Sequence, residues 1–436
     1  MYRLFTAICV ICTAQSLAEV ILYIPGCTAR MAWVAEEIFM QRGGLKISIT
    51  GNQEAYLASG AALKINYSQA DLSGHRIYRS GFLDGNGIQH DFIPATARIA
   101  DLFCLFPDRE QANFDLLAMV FWCLSRYEEY QPFTADRHGR FPASASLLQK
   151  WGVLEEPICD IAIRYYFREW GIADNVAFTI TPTLDIDIAF AYAGRGLLRG
   201  LGAALIAPWS LPGRIKSILQ PSSDPNNTFD CIHKVLEHCS GARIFWHCGA
   251  ENNHYDKQVN LNYGPFKQAI SRLNVDARCG LHPSFAASGN AEILKQEKLY
   301  LEQILGREVT SSRMHYILLS MPSTYRTLIE CGIAEDYSMG FPDAAGFRAG
   351  TAQPFRWYDL ANEEATQLLV HPFCIMEATC KYCLQMSPEQ AIDRGLEMKE
   401  RLQRYGGDFC FIFHNESLGR QTHWRGWDKV FESWLA

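Results

Sequence analysis

The stretch Asp408-Phe409-Cys410-Phe411-Ile412-Phe413-His414-Asn415 decides the fold. Its unbroken apolar run suits a strand buried on both faces, as in a parallel sheet covered by helices. The run ends in a histidine, where a strand gives way to a loop. Barrels of alternating strands and helices carry their functional side chains at that place.

Outward from it, short β-rich runs alternate with helical ones over residues 176–436. Strand 177–186 precedes helix 228–239, 242–248 precedes 264–273, 277–282 precedes 290–305, and 308–316 precedes 322–331. A further strand, 366–371, precedes helix 388–404. Strands and helices alternating at these lengths imply βα units on a parallel sheet, and six or seven such units can close into a barrel. Residues 20–175 read as a separate N-terminal α/β domain. It has strands 20–25, 45–50 and 62–68, helix 29–41, and two amphipathic helices, Asn113–Glu129 and Cys159–Trp170. The polar, Gly-containing stretch Gly171–Asn175 is the softest junction, and no catalytic constellation is evident before it.

Composition narrows the function. With 436 residues and 48% hydrophobic content, the chain can build two cores and is not a disordered polymer. Asp+Glu 47 against Lys+Arg 40 leaves a net charge of -7, with no basic excess to neutralise phosphates, so nucleic acid is not the expected partner. No run reaches the ~20 apolar residues a spanning helix needs; Leu197–Leu211 is short and broken by Pro208. Fifteen cysteines without framework spacing suit reduced, buried thiols and favour the cytoplasm. Against that, Met1-Tyr2-Arg3, the apolar run Leu4–Ala14 and Ser16-Leu17-Ala18 outline a secretory leader. The alternative is a mis-set start, and on either reading the fold begins near Val20. Oligomeric state is not legible.

Four of the strands end in ionisable residues. Thr183-Leu184-Asp185-Ile186-Asp187 places two carboxylates at i and i+2, on one face of a strand. Gly280-Leu281-His282-Pro283-Ser284, Arg313-Met314-His315-Tyr316 and His414-Asn415 close three others. Taken singly, a histidine on an apolar strand is more often a satisfied core residue, and Asp-x-Asp is common in turns. Joint placement at successive strand ends favours chemistry. Two imidazoles and a carboxylate make an open three-ligand site for one divalent metal, zinc first among the candidates. Such a metal acidifies water, a second carboxylate takes the proton, and another histidine protonates a leaving amine.

At these residues the chain resembles the polysaccharide deacetylases, metal-dependent carbohydrate esterases that act on N-acetylated sugars. The resemblance covers residues 176–436 and is sharpest to a bacterial branch with an extra N-terminal domain. It is carried by Ser125–Tyr130, Thr183–Asp187, Gly280–Ser284, Arg313–Tyr316, Asp336–Gly340, Gly346–Thr351 and His414-Asn415. It implies a distorted (β/α)7 barrel and removal of an N-acetyl group from a saccharide or glycan.

The resemblance also implies roles. Asp185 falls at the position of the general base and Asp187 at that of a metal ligand, although Ile186 separates carboxylates that the family motif has adjacent. Which of the two does which job stays open. His282 matches the first histidine of the family's pair; the second position, four residues on, is Ala286. His315 is read as its replacement. Arg313 matches the arginine that orients the base, and His414 the late histidine that acts as general acid.

Arg348, in the Gly-containing stretch Gly346–Gly350, is read as a contact for substrate, with pairing to an aspartate as the alternative. Tyr316, Trp357 and Tyr358 are candidates for an aromatic floor under a sugar ring, or ordinary core. His371 and Glu377 are candidates for support of the site, and His247 and His254 lie near a strand end. Cys380-Lys381-Tyr382-Cys383 has no partner pair and reads as structural. Two other activities remain open: a non-sugar amide hydrolase on the same barrel, and a non-catalytic glycan-binding relative.

Overall fold

The structure, a computed structural model, describes residues 19–173, 176–195, 211–249, 253–274, 278–419 and 421–436. The leader expected over 1–18, the junction at 174–175 and most of the apolar run 197–211 lie outside them.

The chain opens with a four-stranded parallel sheet. Its strands are β1 (Glu19–Tyr23), β2 (Lys46–Thr50), β3 (Leu63–Asn66) and β4 (His75–Arg76), in the order β2-β1-β3-β4. A hairpin of β5 (Thr96–Ile99) and β6 (Leu102–Leu105) follows. It carries no Asn-Gly or Asp-Gly signal; Ala100 turns it at φ 52°. The helix expected over Asn113–Glu129 is shorter, Leu116–Leu124, and its N-terminus is capped by Asp115, which accepts the Ala118 N–H at 2.9 Å. It stops because Arg126 adopts the left-handed conformation, φ 56°.

The second sheet carries the site. Its strands are β7 (Phe178–Ile186), β8 (Arg243–His247), β9 (Cys279–His282), β10 (Ser311–Ser312) and β11 (Glu335–Met339). β12 (Phe355–Asp359), β13 (Glu364–Pro372), β14 (Ile375–Met376) and β15 (Gly407–His414) complete it. The order is β12-β13-β11-β10-β9-β8-β7-β15-β14, parallel except where β12 pairs antiparallel with β13. The sheet curls into a distorted barrel. The link after β13 spans its gap: the Phe373 N–H donates to the Met339 carbonyl at 3.0 Å, and the Cys374 N–H to the Cys410 carbonyl at 2.9 Å.

Two expectations need correction here. The strand read over 308–316 keeps only Ser311–Ser312 in the ladder. Tyr316 and Ile317 adopt φ 58° and 52°, so the chain turns sharply just after His315. β11 and β12 were not expected, because their charged and aromatic composition lacks a clean alternating pattern.

Alternation along β15 sorts its side chains. Cys410 and Ile412 join Phe245, Tyr337 and Phe373 in the barrel interior. Phe409, Phe411 and Phe413 pack outward on Trp434 of helix Trp427–Leu435. Gly280 has no room for a side chain: a Cβ there would lie 2.6 Å from the Ser311 hydroxyl and 2.7 Å from the Phe245 ring. Among the described residues, no helix is long and apolar enough to cross a membrane, and every cysteine is a free thiol.

The N-terminal unit docks on the barrel through residues 346–352. The Phe347 N–H donates to the Leu154 carbonyl at 2.7 Å, and the Cys159 N–H to the Gly350 carbonyl at 2.9 Å. Asp160 accepts the Thr351 hydroxyl at 2.7 Å and the Ala352 N–H at 2.8 Å. At the centre of the interface, Glu129 receives Arg348 through two bonds of 2.8 and 2.6 Å and Arg126 through one of 2.7 Å. Burial raises the Glu129 pKa, but Arg348 and Arg126 outweigh it and hold the carboxyl below its ordinary range. Glu129→Gln leaves two buried guanidinium groups facing a neutral amide. It is expected to cost about 3–5 kcal/mol, measured as a lower urea midpoint at unchanged slope.

Candidate metal centre

The parallel strands deliver the site at their C-terminal ends. In sheet order these are Glu377 after β14, His414 at the end of β15, Asp185 on β7 with Asp187 just after it, His247 ending β8, His282 ending β9, and Arg313 with His315 after β10. Register aligns them: His414 lies beside Asp185, and His247 beside His282.

Asp187, His282 and His315 converge, their ligating atoms all within 4.8 Å of one another. His282 Nδ1 is 2.5 Å from the Arg313 carbonyl, so Nδ1 carries the proton and donates. Its Nε2 then presents a lone pair to Asp187 Oδ1 at 3.0 Å, and that buried oxygen has no hydrogen-bond partner. His315 repeats the arrangement. Nδ1 donates to Asp256 at 3.2 Å, and Nε2 faces Asp187 Oδ2 at 3.3 Å. Lone pairs pointed at a carboxylate repel unless positive charge lies between them. A proton on each ring or one shared cation supplies that charge, and the donor set of two imidazoles and one carboxylate suits a divalent transition metal. Burial lowers the His315 pKa, but the Asp187 and Asp256 charges lift it to about 9. Burial likewise raises Asp187, and the charges of His315 and His414 hold it well below the usual carboxylate range.

Asp185 and His414 flank this trio. Arg313 reaches across the barrel, donating to the Thr183 hydroxyl at 2.6 Å, to Asp185 Oδ1 at 3.1 Å and to the Tyr337 carbonyl at 2.9 Å. Its guanidinium lies over the Phe245 ring, 4.8 Å from the centroid. Asp185 Oδ2 remains turned toward His282, 3.8 Å away. His414 Nδ1 and its backbone N–H both donate to Glu377, at 2.8 and 2.9 Å. Nε2 is left facing Asp187 at 3.7 Å. Burial lowers the His414 pKa, yet Glu377 and Asp187 raise it well above the ordinary imidazole value.

The support for His315 escaped the sequence reading. Asp256 lies in the loop after β8 and accepts His247 Nε2 at 3.0 Å, His315 Nδ1 at 3.2 Å and the Phe285 N–H at 2.8 Å. Those three hydrogen bonds fill its Oδ1, so His247, Asp256 and His315 form a brace rather than a second cation site. Burial takes the His247 pKa down to about 4, which keeps it a neutral donor. The position where the family pattern has its second histidine, Ala286, offers a backbone N–H to Asp256 at 3.4 Å. Partners of metal-bound histidines fix tautomer and ring orientation. Asp256→Asn is therefore expected to weaken divalent-metal affinity by about 10–100-fold, read by competition with a chromophoric chelator.

A cavity of about 390 Å³ opens over the site. Asp185, Asp187, His282, His315, Tyr316 and His414 line it, with Tyr255, Tyr382, Glu416 and Trp424 farther out. Arg348 and Trp357, read from sequence as substrate contacts, do not line it. Arg348 is fully buried in the ion pair with Glu129, and the close approach that Gly346 permits is to the Leu154 backbone, 2.6 Å from a would-be Cβ. Trp357 is buried against Tyr325 and Tyr358 is buried against Trp33 and Phe121. His371 stacks on Tyr337 at 4.2 Å, away from the cavity. Of the two residues read as support, Glu377 alone touches the site.

Residues 20–169 match a model described as a family of unknown function, DUF7033. No curated protein matches the chain. Among solved structures, a protein assigned as a polysaccharide deacetylase from Mycobacterium smegmatis aligns over 60% of this chain and 85% of its own, at 14% identity and a TM-score of 0.38. The polysaccharide deacetylase Bc1974 from Bacillus cereus covers 59% and 85%, at 12% identity and 0.27. PuuE allantoinase covers 60% and 83%, at 10% identity and 0.35.

Proposed function

We propose that the protein is a metal-dependent hydrolase that removes N-acetyl groups from a saccharide or glycan. The observation that carries this reading is the convergence of His282 Nε2, His315 Nε2 and Asp187 at the floor of the cavity, with both rings' Nδ1 atoms already committed as donors. These three residues would hold one divalent cation, with zinc the first candidate. When bound, such a cation supplies Lewis acidity to a carbonyl and makes a nearby water more acidic.

The other residues supply proton transfer. Asp185, oriented by Arg313, takes the proton of the attacking water. His414, charged by its pairing with Glu377, presents Nε2–H to the departing amine nitrogen. Products are acetate and a free amino sugar. A cavity of this size takes one or two sugar units, and Tyr316 offers an aromatic wall. Presence of a base, an acid and a ligand set together favours catalysis over simple glycan binding.

The test is acetate release by zinc-loaded and chelator-treated protein, assayed on N-acetylglucosamine oligomers and peptidoglycan fragments. Release that depends on metal supports the reading. Bound zinc with no acetate from any N-acetylated sugar overturns the substrate class, and turnover of an acyclic amide instead would place the chain with non-sugar amide hydrolases.

A further inference from the structure

The cavity wall is not built by the barrel alone. Arg137, His138 and Arg140 belong to the segment that follows the N-terminal unit's Tyr127–Tyr130 turn, and all three line the cavity. The segment is a tight loop tied around Asp136. That carboxylate accepts the His138 N–H at 2.8 Å, the Arg140 N–H at 3.0 Å and Arg140 Nε at 2.8 Å. The Arg140 guanidinium also donates to the carbonyl of Tyr316, next to the candidate ligand His315. The loop is thus fastened to the floor of the site.

Its remaining groups are donors. Asp136 absorbs the charge of Arg140. Arg137 and Lys257, which also lines the cavity, form no ion pair among the described residues. Arg137 Nε donates to His138 Nε2 at 3.0 Å, which puts the ring proton of His138 on Nδ1. That Nδ1 is buried and has no partner. Burial and the two arginines lower the His138 pKa, against the opposing charge of Asp136. Arg137 shares the cavity wall with Tyr316 and Cys383. In a chain of net charge -7, unpaired positive charge at this mouth runs against the overall balance. Unpaired cations at a binding site call for an anionic partner.

We propose that Arg137, its guanidinium held by His138 Nε2, forms an anion subsite at the cavity mouth, so that the substrate is an acidic N-acetylated saccharide, carrying a carboxylate or phosphate close to its acetamido group. This rests on the deacetylase reading above and names the substrate class for the same site. A family of unknown function would, on this view, contribute specificity to the barrel it accompanies.

The experiment measures binding to the full, zinc-loaded chain by calorimetry. Three probes are used: N-acetylglucosamine, N-acetylglucosamine 1-phosphate and N-acetylmuramic acid. The expected result is a preference of about 10-fold or more for at least one acidic probe over the neutral sugar, shrinking as salt rises. Whichever acidic probe binds tighter identifies phosphate or carboxylate as the source. Arg137→Gln should collapse the ratio of acidic to neutral affinity toward one. Lys46→Gln, which removes an equal charge from an exposed strand away from the cavity, should leave that ratio intact. Equal affinity for neutral and acidic probes, or an unaltered ratio in the Arg137 variant, overturns the subsite. The two proposals fail separately. Acidic preference without acetate release from any probe sinks the deacetylase and spares the subsite; equal acetate release from neutral and acidic sugars does the reverse.

Discussion

Replacing His282 with alanine is expected to abolish stoichiometric binding of a divalent metal. Among the described residues, three side chains converge on the candidate centre, so the variant retains one imidazole and one carboxylate. Removing an outer partner of a metal ligand costs about 10–100-fold in affinity, and removal of a ligand itself should exceed that. The residue is prepared for the task by its neighbours. The Arg313 carbonyl holds its Nδ1 at 2.5 Å, which leaves no freedom in tautomer or ring orientation. The ring is buried at the end of β9, between Asp187 and His315. Elemental analysis after dialysis against zinc, with circular dichroism as a control for folding, gives the answer. Undiminished metal content in a folded His282→Ala protein would remove His282 from the ligand set.

Replacing His414 with alanine should leave the metal bound and lower kcat by about 10²–10⁴-fold, the usual worth of a positioned general acid. Metal retention separates this outcome from the first. Its pH dependence carries a sign. Glu377, 2.8 Å from Nδ1, and Asp187 raise the His414 pKa well above the ordinary imidazole value despite its burial. A general acid acts while protonated, so kcat should hold through neutral pH and fall as pH rises through that raised pKa. Glu377→Gln removes the negative charge that raises it, and the alkaline limb should move to lower pH. A kcat–pH profile in which that limb does not move would dissociate Glu377 from the acid.

The strand-end residues were legible because a buried parallel strand advertises itself. β15 is apolar on both faces, and its first polar side chain after that run marks the loop where the site begins. Thr183–Asp187 and Gly280–His282 follow the same logic. Asp256 was not legible. It lies in a loop without periodicity, and its partners His247, Phe285 and His315 are 9, 29 and 59 positions away. Arg348 was misread for a related reason. A Gly-flanked arginine beside a barrel suits a ligand loop and a docking loop equally well, and the choice depends on Glu129, 219 positions earlier in the chain.

Residue pattern by itself pointed to an N-terminal α/β domain followed by a parallel-sheet barrel, and it placed Asp185, Asp187, His282, Arg313, His315 and His414 at strand ends. Period and local polarity are properties of neighbouring residues, so they survive in one dimension. Tertiary structure alone decided how those ends face one another. It showed which imidazole nitrogen is free, that Asp256 braces His315, that Arg348 fastens the two units together, and that Arg137 and His138 reach the cavity from the N-terminal unit. Each of these depends on distances of a few ångströms between residues far apart in the chain, and no local pattern encodes them.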